Sequence, residues 1–286
     1  MTVPLLIAGH GSADETGAEQ FRGFVRRVAG RLAAPVAGGF IELSPPPLAE
    51  AVAGLVAGGA RRLVTVPLML VAAGHVKGDI PASLARERRR HEGLSIAYGR
   101  PLGPHPTVLA LLRERLAALV PGPDTTVLLV GRGSSDPDAN AEVARAARLL
   151  AETTPVAGVE YAFVSLAAPG VPAGLDRCRA LGAPRVAVLP YFLFTGVLPR
   201  RVAEQAAGWS ATTGLRVDTG EVIGDCAGLA DVVLERYAEA LAGGARANCD
   251  ACLYRVALPG HEARVGAAQR PHDHPAEPAH PHAHTH

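Results

Sequence analysis

Three segments recur along this chain at an almost constant offset, and that internal repeat constrains the fold more than any other feature. LLIAGHGSA at 5–13 matches LLVGRGSSD at 128–136, and GARRLVTVPLML at 59–70 matches GAPRVAVLPYFL at 182–193. GRPLGPHPTVLALLRER at 99–115 matches GEVIGDCAGLADVVLER at 220–236. The offsets lie between 121 and 123 residues, so the chain reads as two homologous halves, 1–120 and 124–242, joined near Pro121-Gly-Pro123. Residues 243–286 stand outside the repeat.

Each half alternates short apolar runs with longer amphipathic stretches. In the first half the runs predict strands at 3–8, 36–42, 62–68 and 94–98. The stretches 17–33, 46–58, 77–91 and 105–119 carry apolar residues at helical spacing. The second half repeats the pattern, with strands near 126–130, 158–164, 185–190 and 215–219. Apolar runs without polar alternation predict strands covered on both faces, as in a parallel sheet. The expected fold is α/β, each half a parallel sheet flanked by helices, with right-handed crossovers.

Composition narrows the function. With 28 basic and 27 acidic residues, the net charge of +1 gives no electrostatic reason to expect nucleic acid. The longest apolar run, Leu63 to Gly74, falls well short of the roughly 18 residues of a membrane span. The opening MTVPLLIAGHGS has no basic segment of the signal-peptide kind. Four cysteines are too few for a disulfide framework, so a reducing cytoplasm is expected.

Ligands of open parallel sheets bind beyond the carboxyl ends of the strands. Three polar residues fall there in the first half: His10, Glu42 and His75. Two imidazoles and a carboxylate from adjacent strand ends can bind a divalent metal, or pass protons near neutral pH. Glu42 can equally begin the next helix, and His91 and His105 read as structural. The repeat supplies an internal control. The second half has Arg132, Ser165 and, allowing one gap, Val197 at the three positions, so it keeps the scaffold without the candidate ligands. Arg132, Arg200 and Arg201 are then candidates to face the cleft and hold substrate carboxylates. Cys178 and Cys226 lie in helical stretches and read as core residues.

LLIAGHGS, FIELSPPPLAEAV and PLMLVAAGHVKGDIP together resemble the sirohydrochlorin chelatases of the CbiX and SirB type, within the class II chelatases. The resemblance covers about residues 3–241. It implies a lyase that inserts Co2+ or Fe2+ into a tetrapyrrole for cobalamin or sirohaem, with no cofactor beyond the substrate metal. The family's two active-site histidines map onto His10 and His75, as metal ligands and catalytic groups, and the acidic residue of longer members maps onto Glu42. It also implies two tandem flavodoxin-like halves with a cleft between them, forming a monomeric intramolecular pseudo-dimer. Some longer relatives carry a Cys-x-x-Cys tied to an iron–sulfur centre. Cys249 and Cys252 match that spacing but supply only two thiolates, leaving a cluster, a zinc site or an exposed thiol pair open.

The last fifteen residues hold six of the eleven histidines, with prolines between them. Such a tail is expected to be disordered and to bind Ni2+, Co2+ or Zn2+ loosely. A metal-delivery protein without turnover is the alternative function. A histidine phosphatase is disfavoured because Ala8 and Gly9, not arginine, precede His10. Flavin or nucleotide binding is disfavoured because no glycine-rich phosphate loop stands at a strand–helix junction.

Overall fold

The computed structural model describes residues 2–245, 252 and 254–267. The first half runs β1 (Leu5–Gly9), α1 (Glu15–Ala29), β2 (Val36–Phe40), α2 (Leu48–Ala57), β3 (Arg62–Pro67), α3 (Ile80–Arg90), β4 (Ser95–Tyr98) and α4 (Pro106–Ala117). The second runs β5 (Thr125–Gly131), α5 (Pro137–Thr153), β6 (Gly158–Phe163), α6 (Val171–Ala180), β7 (Arg185–Pro190), α7 (Val197–Thr213), β8 (Arg216–Thr219) and α8 (Ala227–Leu241).

Both sheets are wholly parallel, ordered β2-β1-β3-β4 and β6-β5-β7-β8. The chain steps outward from β1 to β2 and then returns to the other side of β1 for β3. Each sheet therefore has a switch point, between β1 and β3 or between β5 and β7, where the flanking loops diverge and leave a crevice. The central strands explain the unalternating sequence: Leu5 to Ala8 and Val127 to Val130 are fully buried, with helices on both faces.

Local chemistry sets the helix ends. Asp14 caps α1 by accepting from Thr16 N at 2.9 Å, so the helix starts two residues before the expected 17, and Gly30 stops it at 29. Asp136 caps α5 in the same way, with Pro137 in the first turn. β2 ends at Phe40 rather than 42, because Leu43 turns to φ 64° ahead of three prolines that have no N–H to offer. The helix expected from 77 begins at Ile80, preceded by a wide turn, His75–Asp79, in which Ile80 N bonds His75 O.

The last helix of each half lies on the other half's sheet: α4 packs on β7, and α8 packs on β3 and β4. Two arginines pin this exchange reciprocally. Arg115 of α4 donates to Val222 O and Ile223 O at 3.0 and 2.6 Å. Arg236 of α8, almost fully buried, donates to Pro101 O and Leu102 O, both at 3.1 Å. Consequently the largest apolar cluster is common to both halves, with Phe24, Leu112, Leu129 and Val233 in one packed body. The two sheets are held at a set distance, and their carboxyl ends open on the same cleft.

Candidate metal centre

His10 follows the last residue of β1 directly, and Glu42 lies two residues past β2. Their loops touch backbone to backbone. Glu42 N donates to His10 O at 3.1 Å, and Ser44 Oγ both accepts from Ser12 N and donates to Ser12 O. Gly11, at φ +109°, permits this approach: a Cβ there would stand 1.8 Å from Glu42 O. His75 arrives from the other side of the switch point, at the start of the wide turn after β3, and is buried.

The three side chains converge. Glu42 Oε1 lies 3.3 Å from His10 Nε2 and 3.8 Å from His75 Nε2, and the imidazoles meet edge to face with centroids 4.4 Å apart. One donor atom from each residue can be chosen so that all lie within 4.8 Å, the single such grouping among the described residues. Ligands bonded at about 2.1 Å to a tetrahedral ion stand roughly 3.4 Å apart, so this set suits one divalent ion with positions left open for exchange. Asp79 Oδ2 sits 2.7 Å from His75 Nδ1, which leaves Nε2 directed at Glu42 and His10. Behind the turn, Tyr98 donates to Val76 O at 2.9 Å, and burial raises its hydroxyl above the ordinary phenol value, so it remains a donor.

The two imidazoles open on a cavity of about 370 Å3 lined from both halves, with Leu68, Tyr191 and Phe194 among its apolar walls. Arg132 reaches in from the end of β5, its Nη1 3.4 Å from His10 Nε2. Arg200 and Arg201 do not line this cavity. Arg200 is instead paired with Asp14, the α1 cap, because α7 carries it outward past the cleft rim. A second guanidinium does enter the lining: Arg264, with Tyr254, from the chain beyond α8. Residues 254–267 are among those described, and a short helical turn forms there at Glu262–Arg264. Cys249 and the histidine-rich end lie outside the described residues; Cys252 is buried.

The second half repeats the loop geometry without the ligands. Ser165 N donates to Arg132 O at 3.0 Å, as Glu42 N does to His10 O, and Leu166 at φ 58° repeats Leu43. A Cβ on Gly133 would stand 1.9 Å from Ser165 O. The remaining candidates are structural. His91 ends α3, 3.6 Å from Glu87. His105 caps α4 through Thr107 N and pairs with Glu235 at 3.1 Å. Cys178 is fully buried, whereas Cys226 is half-buried at the cap of α8 rather than inside a helix.

Sequence reasoning missed several residues. Asp79 was legible only as a carboxylate four positions after His75. Lys77 Nζ is gripped across the cleft by Asp136 Oδ2 at 2.7 Å and Asp138 Oδ2 at 2.9 Å. Burial depresses this ammonium's pKa, but the two carboxylate bonds outweigh burial and hold it above the ordinary lysine value.

Two parallel sheets that share one cleft, with two imidazoles and a carboxylate at the switch point of one of them, define a chelatase-like α/β protein. Comparison with known proteins gives the same class. The sequence profile of the CbiX family matches residues 4–119 and again 126–240. Sirohydrochlorin cobaltochelatase of Priestia megaterium is 36% identical over 265 residues, covering 90% of this chain and 86% of that protein. Sirohydrochlorin ferrochelatase of the same organism is 33% identical over 204 residues, 70% of this chain and 77% of that one. Among solved structures, SirB from Bacillus subtilis with Fe3+ superposes with a TM-score of 0.76 at 28% identity, over 85% of this chain and 97% of that one. SirB from Bacillus subtilis subspecies spizizenii in complex with cobalt gives 0.72, also at 28% identity, over 84% of this chain and 95% of that one. The chain belongs to the CbiX family.

Proposed function

We propose that this protein is a sirohydrochlorin chelatase, inserting Co2+ or Fe2+ into the tetrapyrrole with release of two protons. The observation that carries the reading is the convergence of His10, Glu42 and His75, with the two imidazoles lining a cavity closed by the other half. Support also comes from the named activities of its relatives, which include both metals.

In this reading the metal is a substrate. Neutral imidazole nitrogens of His10 and His75 take it from its hydration shell, and their borderline hardness lets it leave again. Glu42 offsets part of its charge. As the metal passes to the ring nitrogens, the two pyrrole N–H protons must go to bases. Glu42 and the vacated imidazoles are at hand. Arg132, beside His10, and Arg264 hold substrate carboxylates, each through paired N–H bonds. The enzyme acts as a monomer, because the fused halves already close the cleft, and its four cysteines fit a reducing cytoplasm.

The test is anaerobic incubation of the purified protein with sirohydrochlorin and either Fe2+ or Co2+, followed by absorption. Insertion well above the spontaneous rate is expected, falling by about 10²-fold or more in His10→Ala/His75→Ala. The faster metal identifies the physiological one. No acceleration with either metal overturns the reading in favour of metal delivery without turnover, for which the histidine-rich tail is suited.

A further inference from the structure

The second half carries none of the metal donors, yet it reaches into the element that holds one of them. Lys77, two residues after His75, extends across the cleft to Asp136 and Asp138. All three charged side chains are under one-tenth exposed, at 9, 4 and 7%. A buried ion cluster is a poor source of net stability, since apolar residues of the same volume do as well; what it supplies is a link of fixed direction and length.

The receiving end of that link is rigid. Asp136 is the cap of α5, bonded through Oδ1 to Asp138 N, and its own N–H is held by Ser134 Oγ at 3.0 Å. Asn140 bonds both Ser134 N and Ser134 O, closing the loop on itself. The other end is a turn of unusual width, which persists only where its surroundings hold it. The first half supplies two of its ties: Asp79 on the His75 ring and Tyr98 on the Val76 carbonyl. The grip on Lys77 is the third, and it comes from the second half.

We propose that the second half serves as a positioning half: Asp136 and Asp138 grip Lys77 and thereby fix the turn that aims His75 at the metal. Lys77, Asp136 and Asp138 are positioning residues that act through His75 without touching the ion. The proposal rests on the metal-binding part of the reading above and does not require the tetrapyrrole to be the substrate.

Its test is Co2+ titration of the full-length protein without tetrapyrrole, reading Kd and the visible Co2+ bands. Lys77→Met/Asp136→Asn/Asp138→Asn removes all three charges at nearly constant shape. The expected result is a loss of Co2+ affinity of about tenfold or more with altered bands. In a His75→Ala background the same substitutions should change Kd by less than about twofold, because the link no longer has an imidazole to aim. Unchanged affinity and bands overturn the proposal, and so does an equal loss in both backgrounds, which is general loosening. If the triple variant does not unfold cooperatively, Asp138→Asn, which keeps the Lys77–Asp136 pair, is judged by the same criteria. Wild-type protein that fails to bind Co2+ saturably, or binds it equally well with Ala at 75, overturns the metal reading of the site and the proposal with it. A normal His75→Ala loss beside an inert clamp overturns the proposal alone.

Discussion

Replacing Asp79 by asparagine removes one negative charge and almost no volume. Its Oδ2 lies 2.7 Å from Nδ1 of His75, a ring only 7% exposed, so this ion-pair contact favours Nε2 as the nitrogen turned toward Glu42 and His10. Bonds to a charged partner contribute about 1.5–3 kcal/mol, and neutral ones about 0.5–1.5. The difference, on the order of 1–1.5 kcal/mol, is the loss expected when the carboxylate becomes an amide of the same shape. At about 1.4 kcal/mol per tenfold this is a roughly five- to twelvefold fall in metal-insertion kcat/KM. Carboxylates behind metal-bound histidines cost about 10–100-fold when mutated, so the lower end of that range fits a substitution that still accepts through its Oδ1. Asp79→Ala, which leaves Nδ1 with no acceptor there, should fall toward the upper end. The assay is steady-state insertion of Co2+ and Fe2+, with Tm measured in parallel to exclude unfolding. Should Asp79→Asn match wild type within about twofold while His75→Ala is inactive, Asp79 does not orient His75, and the reasoning fails.

Three further outcomes follow from the geometry. Gly11→Ala should abolish insertion while the protein stays folded, since a Cβ 1.8 Å from Glu42 O forces that loop away from His10; wild-type rates would show the loops to be compliant. Cys178, buried and pushed up to about 12, should resist thiol reagents at pH 8 in the native protein and react only on unfolding, as peptide mapping by mass spectrometry would establish. Asp218 is held below the usual carboxylate range: burial raises its pKa, and the Arg185 and Arg216 guanidiniums outweigh burial. A depressed folded pKa contributes stability fully above the unfolded value, about 3.9, and loses it as pH falls through the folded value. Asp218→Asn should therefore destabilise by at most about 1 kcal/mol at pH 7 and by progressively less as pH falls below about 3.9, read by denaturant unfolding across that range.

The fold was legible because the repeat doubled every signal: an ambiguous run such as residues 62–68 became convincing once 185–190 matched it. His10 and His75 were legible because glycine-flanked polar residues at strand ends have few structural reasons to be there, whereas Glu42, between Ile41 and Leu43, read equally as the start of a helix. Arg200 was misplaced because adjacency to a strand end says nothing of which way the following helix carries a side chain. It caps an ion pair with Asp14, 186 residues earlier in the chain. Arg264 and the grip of Asp136 on Lys77 were invisible for a related reason. Each depends on where separate elements come to rest, and no local pattern near either partner reports it. The exchange of α4 and α8 is of the same kind, since each helix looks amphipathic whichever sheet receives it.

Duplicated backbone with unequal side chains has a consequence for anything flat held between the halves. The loops after β1 and β5 follow nearly the same path, but one wall bears metal donors and the other bears Arg132. Anything held between the halves therefore meets imidazoles from one copy and a guanidinium from the other. Two identical subunits would present the same groups twice. Fusion with unequal loops makes the cleft asymmetric.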